Sequence, residues 1–413
     1  MNKGGGSMKK FLNIYGSRLG RVVLFGLILL VPSQALAGKN AFKFFEDMEI
    51  HGFVSSSYSY NFNKPMSQTN CGNAALLAGC ARIFDQDDNS FKLDNTELVF
   101  LKETPDVGDI GFRFDLTFGF SIPEGAQRAR SSATAAVPAN GNPIATPDDD
   151  FDLQQAYVSW KAPIGNGLQL DLGKFITHVG AEVFDGYDGW NMNFSRTFVF
   201  GWGIPFNHTG LRATYEFTDQ LSLMAMIANN WEEAGVSDNN SDKTFGLQVG
   251  YSPTEKVGVL LNWAGGNQGT TGGTTPSINS NFRNIYDIVV DLALTNKLSL
   301  QLNADLGTEQ NGTAVGGTAK WWGFASIVRY DFNKWFSMNV RGAHFNDDDG
   351  FRLGAVGNKL WEVTLTPEFR ISENMVVRFE YRHDQSNLGV FENSRGVGTS
   401  HQDTVAMNAL VHF

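Results

Sequence analysis

The 413-residue chain carries 32 Lys and Arg against 43 Asp and Glu, a formal charge of −11, with 33 Phe, 45 Gly and only 12 Pro. So acidic a chain has no basic field with which to release phosphate counterions, which argues against a nucleic-acid binder. A mean hydropathy below zero excludes a bundle of membrane helices, each of which needs about 20 apolar residues, but not a transmembrane barrel, whose alternating strands hide their apolar face from any average.

Residues 1–37 hold five bases (Lys3, Lys9, Lys10, Arg18, Arg21) and no acid. An apolar run from Val22 to Val31 follows them and leads to Ala35-Leu36-Ala37. A basic head, a short apolar run and an Ala-x-Ala end describe a cleavable export signal, cut after Ala37. Residues 38–48 then form a short periplasmic segment, and 49–413 the main domain. Cys71 and Cys80 are the two cysteines of the chain. In an oxidising compartment such a pair most simply forms a disulfide; a metal pair or two free thiols are the alternatives.

From Glu49 onward, period-two alternation recurs. In Asp109–Phe120, Ile110, Phe112, Phe114, Leu116, Phe118 and Phe120 share one face, opposed by Gly111, Arg113, Asp115, Thr117 and Gly119. The same pattern runs through Tyr286–Leu294, Leu298–Gly307 and Met375–Arg382, and it means strands. About 16 of them, roughly ten residues each, suit a tilted membrane crossing. Their expected starts are Glu49, Phe91, Asp109, Phe151, Gly167, Gly210, Gln220, Thr244, Lys256, Phe282, Lys297, Ala319, Lys334, Lys359, Met375 and Asp403. Tight turns such as Thr218-Asp219 and Thr295-Asn296 alternate with long polar segments at 63–90, 121–150, 178–208, 231–243, 265–281, 308–318, 346–358 and 385–402. A soluble sandwich or propeller would also alternate in and out, but it lacks that rhythm of connections. The expected fold is therefore all-β: a transmembrane antiparallel up-and-down barrel with short periplasmic turns and long external loops.

Several segments resemble the OmpL-like β-barrel porins of bacterial outer membranes. They are His51-Gly52-Phe53-Val54 through Asn63-Lys64-Pro65, Gln155-Ala156-Tyr157-Val158-Ser159, Gly173-Lys174-Phe175 through Glu182, and Phe379-Glu380-Tyr381-Arg382-His383-Asp384. Phe413 matches the closing aromatic of such proteins. The Ala/Thr/Pro stretch at 131–147 and the Cys71–Cys80 loop depart from the pattern. The resemblance covers the mature chain and implies an outer-membrane porin.

A barrel of this size leaves an aqueous channel. The charges expected on its lumen wall include Arg113, Asp115, Arg212, Glu216, Asp287, Asp291, Arg329, Arg341, Arg378, Glu380 and Arg382, with Lys161, Asp171, Asp305 and Glu362 beside them. Acids and bases mix, so the wall announces neither an anion nor a cation channel, and mutual pairing is the plainer role for any single one. Segment 179–207 is too aromatic to wave in water. Folded inward it would form a constriction carrying Glu182, Asp185, Asp188 and Arg196; an external cap or a trimer contact is the competing role.

Asp85-x-Asp87-x-Asn89 begins like a calcium loop but has Ser90 and Thr96 where Gly and Glu belong. The seven histidines lack metal spacing, so neither metal nor cofactor is expected. Neither a G-x-S-x-G elbow nor H-E-x-x-H occurs, and catalysis is not expected. The function expected is passive diffusion of ions and small hydrophilic solutes. The expected surroundings are outer-membrane lipid and lipopolysaccharide, with a homo-oligomer such as a trimer among the partners. The alternative is a non-conducting interaction barrel: an adhesin, a receptor or a sheath for an electron-transfer partner.

Overall fold

The computed structural model describes residues 44–73, 76–77, 80–121, 151–231, 242–268, 281–313 and 315–413. The expected signal (1–37) and the stretch at 131–147 lie outside them. The chain divides into Met1–Met48 and Glu49–Phe413, and the second unit is a closed antiparallel barrel of 16 strands.

In chain order the strands are β1 (Glu49–Asn61), β2 (Ser90–Lys102), β3 (Ile110–Phe118), β4 (Phe151–Ala162), β5 (Leu168–Ile176), β6 (Asn207–Thr218), β7 (Leu221–Ala228), β8 (Thr244–Thr254) and β9 (Val257–Asn267). There follow β10 (Phe282–Ala293), β11 (Leu298–Glu309), β12 (Ala319–Asp331), β13 (Phe336–Asp347), β14 (Asn358–Arg370), β15 (Met375–Ser386) and β18 (His401–His412). Each begins within three residues of its expected start. Unforeseen are β16 (Phe391–Glu392) and β17 (Gly398–Thr399), a small hairpin inside the last long connection.

Each strand pairs with its sequence neighbour, and β1 pairs with β18, so that no sheet edge faces lipid. Register fixes which face looks inward. Asp287 lies opposite Asp305 and Asp291 opposite Gln301 on the lumen side, while Tyr286–Leu306 and Leu292–Leu300 face out. Large apolar side chains such as Leu172, Tyr286, Phe324 and Leu365 are exposed on the outer surface. In lipid that exposure is the stable arrangement, since no bonding group is left unpaired there. The seam closes on the last residue. The Gly52 N–H donates to the Phe413 carbonyl and the Phe413 N–H to that of Gly52, both at 2.9 Å. A Cβ on Gly52 would stand 2.3 Å from the Phe413 ring, so a larger residue there would displace the aromatic from the place it takes over glycine.

The short connections and both barrel termini share one end, the periplasmic one; the long connections gather at the other. Several long connections turn inward and pack on one another. Leu77, Ile83 and Phe84 of the first join Phe198, Phe200, Trp202 and Phe206 of the third, with Leu353, Val390 and Phe391 from later ones, in one buried apolar cluster. The first is clasped by the Cys71–Cys80 disulfide, whose sulfurs are 1.99 Å apart.

Candidate pore constriction

The third long connection, 177–206 (L3), leaves β5, descends inside the barrel and returns to β6. Its two ends are paired where the Thr177 N–H donates to the Phe206 carbonyl at 2.9 Å. Of the boundary histidines, His208 is buried in the wall and His178 part-buried at the start of L3, their ring centroids 6.3 Å apart. Nε2 of His178 faces the Trp263 carbonyl at 3.0 Å and, because a carbonyl only accepts, carries the proton. Burial holds this imidazole below the usual histidine range.

The tip of L3 is a tight turn, Gly186 to Gly189, closed by a β-bridge. A Cβ on Gly186 would come within 2.7 Å of the Glu97 carboxylate, which instead accepts the Tyr187 N–H at 2.9 Å. Tyr187 stacks on His51 near the start of β1 (4.2 Å, 7°), and Trp190 packs on His412 at the end of β18 (4.9 Å). L3 therefore reaches the periplasmic end of the barrel seam.

The return leg is sewn to the wall of β13–β15. Glu380 accepts the backbone N–H groups of Phe194 (2.7 Å) and Ser195 (3.0 Å). Asn339 donates to the Met192 carbonyl at 2.7 Å. Arg378 donates to the carbonyls of Asn191 (2.5 Å) and Asn193 (3.3 Å). Arg341 reaches the Ser195 carbonyl and Arg382 that of Arg196. A single π-helical turn, Val199–Gly203, then packs against the inward face of β12, where Trp321 donates to the Gly203 carbonyl at 2.9 Å. That face (Trp321, Gly323, Ala325, Ile327) is apolar because L3, not water, covers it.

Charges the sequence assigned to an eyelet are therefore bound up in the wall. Glu182 pairs with Arg341 (3.2 Å), and Asp185 with both Arg196 (3.0 Å) and Arg378 (3.2 Å). Glu182, Asp185 and Arg196 are each buried. Asp188 differs: its side chain is 49% exposed and accepts from Arg113 at 2.8 Å. Arg113 also holds Asp115 (2.9 Å). These three, with Glu97 and Val183, border a gap of about 220 Å³ between L3 and the wall of β2–β4.

Of the remaining wall charges, Arg212 pairs with Asp171 (2.9 Å) and lies over the Phe175 ring (4.8 Å). Asp287 accepts from Gly180 N–H (3.2 Å) and from Asn262 and Asn303. Arg329 is paired to Asp331 and Glu368, while Glu216 and Asp291 are exposed lower on the inner wall. Glu362 and Asp384 complete the buried ladder with Arg341, Arg382 and Arg82. Arg82, Asn95, Glu97, Asn339 and Trp321 were not singled out by sequence. Their contacts depend on loops meeting the wall, and the one sequence signal was β12, whose Trp321–Val328 run lacks polar alternation.

Residues 47–413 match the model of the family described as “Putative beta-barrel porin-2, OmpL-like”. No curated protein matches in sequence. Among solved structures, the fold is similar to OprB of Pseudomonas putida, with a TM-score of 0.58 and 11% identity over 91% of this chain and 97% of that one. It is likewise similar to the outer-membrane channel DcaP of Acinetobacter baumannii (0.55, 12%, 89% and 97%). A third likeness is to an anion-selective porin from Comamonas acidovorans (0.54, 12%, 89% and 99%). At such identity the likeness is one of fold.

Proposed function

We propose, for a chain that belongs to the OmpL-like beta-barrel porin-2 family and is an outer-membrane porin channel, that ions and small hydrophilic solutes diffuse passively through the gap between L3 and the β2–β4 wall. The observation that carries this reading is the uneven packing of L3, whose return leg is sewn closely to β13–β15 while its tip reaches β2 and β3 through Asn95, Glu97 and Arg113 and leaves a cavity beside them. Arg341, Arg378, Arg382 and Glu380 hold it against β13–β15, and the space left over lies opposite, beside Asp188, Arg113 and Asp115. Charges that reach that water act on permeating ions, while charges that have surrendered their hydrogen bonds to L3 act on its shape. Asp188 belongs to the first kind; Glu182, Asp185 and Arg196 belong to the second. Lipopolysaccharide around the aromatic outer surface, and further copies of the chain in a trimer, are the surroundings we propose. Family and fold speak for a channel rather than an enzyme.

Single-channel recording of the refolded protein in a planar bilayer under a salt gradient tests the reading. Discrete open steps are expected, with Asp188→Asn moving the reversal potential toward anions and Glu182→Gln leaving it in place. The opposite ranking would refute the assignment of roles. A silent bilayer holding β-rich, heat-modifiable protein would favour the non-conducting interaction barrel.

A further inference from the structure

Two periplasmic turns and the end of β14 converge on a second cavity, of about 470 Å³, below L3. The β10–β11 turn contributes Lys297, the β12–β13 turn Lys334, and the end of β14 Arg370. Arg329 lines the same cavity with two acids, Asp331 and Glu368, and both acids are already engaged by Arg329, at 3.0 and 2.8 Å. Lys297 gives one hydrogen to the Phe332 carbonyl (3.1 Å) and keeps two. Lys334 and Arg370 are exposed and have no carboxylate partner among the described residues. Four cations and two acids thus line this vestibule, and the positive charge is in excess by two. The L3 tip closes its inner side with the indole of Trp190, two residues from the Asp188 that borders the gap above.

Resting on the channel reading above, we propose that this vestibule is an exit subsite for small organic anions, the carboxylate held by Lys297, Lys334 and Arg370 and the carbon skeleton laid against Trp190. Clustered like charge beside a low-dielectric wall concentrates counterions, and a planar guanidinium suits a carboxylate's two oxygens. The aromatic face is what distinguishes an organic anion from inorganic phosphate, which has no apolar part to place there. The cavity lies on the β11–β14 side toward the periplasmic end, where a solute that has passed the constriction leaves the barrel.

The test uses the full barrel in planar bilayers, with glutarate and inorganic phosphate as probes. Lys297→Gln/Lys334→Gln/Arg370→Gln should lower the anion-to-cation permeability ratio about threefold and raise the glutarate concentration needed for half-block about tenfold. Lys334→Arg should leave both where they are. Trp190→Leu should weaken block by glutarate and not by phosphate. Normal conductance with an unchanged permeability ratio and unchanged block in the triple variant would overturn the subsite. Equal block by phosphate and glutarate, indifferent to Trp190→Leu, would overturn its organic-anion assignment. Absence of conductance in the unaltered protein would instead sink the channel reading itself. Should the triple variant fail to show heat-modifiable folding, Arg370→Gln alone carries the comparison.

Discussion

Glu380→Gln isolates the hold of the wall on L3. The carboxylate accepts two backbone N–H groups, from Phe194 at 2.7 Å and Ser195 at 3.0 Å, together with the Thr366 hydroxyl at 2.8 Å. A carboxamide of the same shape offers one oxygen and one NH2. One backbone donor therefore loses its acceptor and faces another donor. A hydrogen bond to a charged group contributes about 1.5–3 kcal/mol, and each 1.4 kcal/mol is tenfold in population. Local release of the return leg at 194–195 should accordingly become about 10- to 100-fold more frequent. Release should stay local, because Asn339 still holds Met192, Arg378 still holds Asn191 and Arg341 still holds Ser195. The β15 ladder is untouched, so heat-modifiability should match the unaltered protein. In single-channel records the main open level should persist while brief current excursions multiply. A record indistinguishable from the unaltered channel would refute the view that this carboxylate holds L3 in place, and failure to insert would assign Glu380 to barrel assembly instead.

Two further substitutions probe the seam and an outer loop. Gly52→Ala places a methyl on the Phe413 ring; overpacking of this kind costs about 1–3 kcal/mol, and the unfolding midpoint of the refolded barrel should fall, an unchanged midpoint showing that the closing aromatic moves freely. Asp347→Ala removes the acceptor of three backbone N–H groups, those of Phe351 (3.0 Å), Arg352 (2.9 Å) and Leu353 (2.7 Å). Amide exchange at 351–353 should accelerate by more than tenfold while the strands stay protected, and unchanged exchange would show that the loop is held from elsewhere.

The barrel was readable from sequence because its determinants are local. Period-two alternation in Asp109–Phe120 or Leu298–Gly307 needs no distant partner to interpret, and turn chemistry at Thr218-Asp219 or Thr295-Asn296 marks strand ends by itself. Strand β12 was harder, since both its faces are apolar: Trp322 and Phe324 look to lipid, Trp321 and Ala325 to L3. Its neighbours' register places it all the same, through Trp322 opposite Asn346 and Arg329 opposite Asn339. The hairpin β16–β17 left no comparable signal, because two-residue strands carry no period to detect.

Inner charges resist sequence reading for a different reason. Alternation tells which face a residue occupies but not what stands opposite it across the lumen. Arg341 and Arg113 look alike in sequence, each an arginine on the inward side of a regular strand. Their partners separate them. Arg341 is fully buried, with Glu362, Glu182 and Ser195 around it, whereas Arg113 borders the gap together with the half-exposed Asp188. The difference arises 150 residues or more away in the case of Arg341 and Glu182, whose separation in sequence is 159. A buried pair of this kind loses several kcal/mol when one member is removed, because the other is left charged and unsatisfied. Loss of the half-exposed charge Asp188 costs far less stability and changes the field instead. Replacement of Arg341 by Met should therefore disturb folding of L3 before it disturbs selectivity, and replacement of Asp188 by Asn the reverse, which is why the pore's selective and structural charges can be told apart only once the loop that divides them is in view.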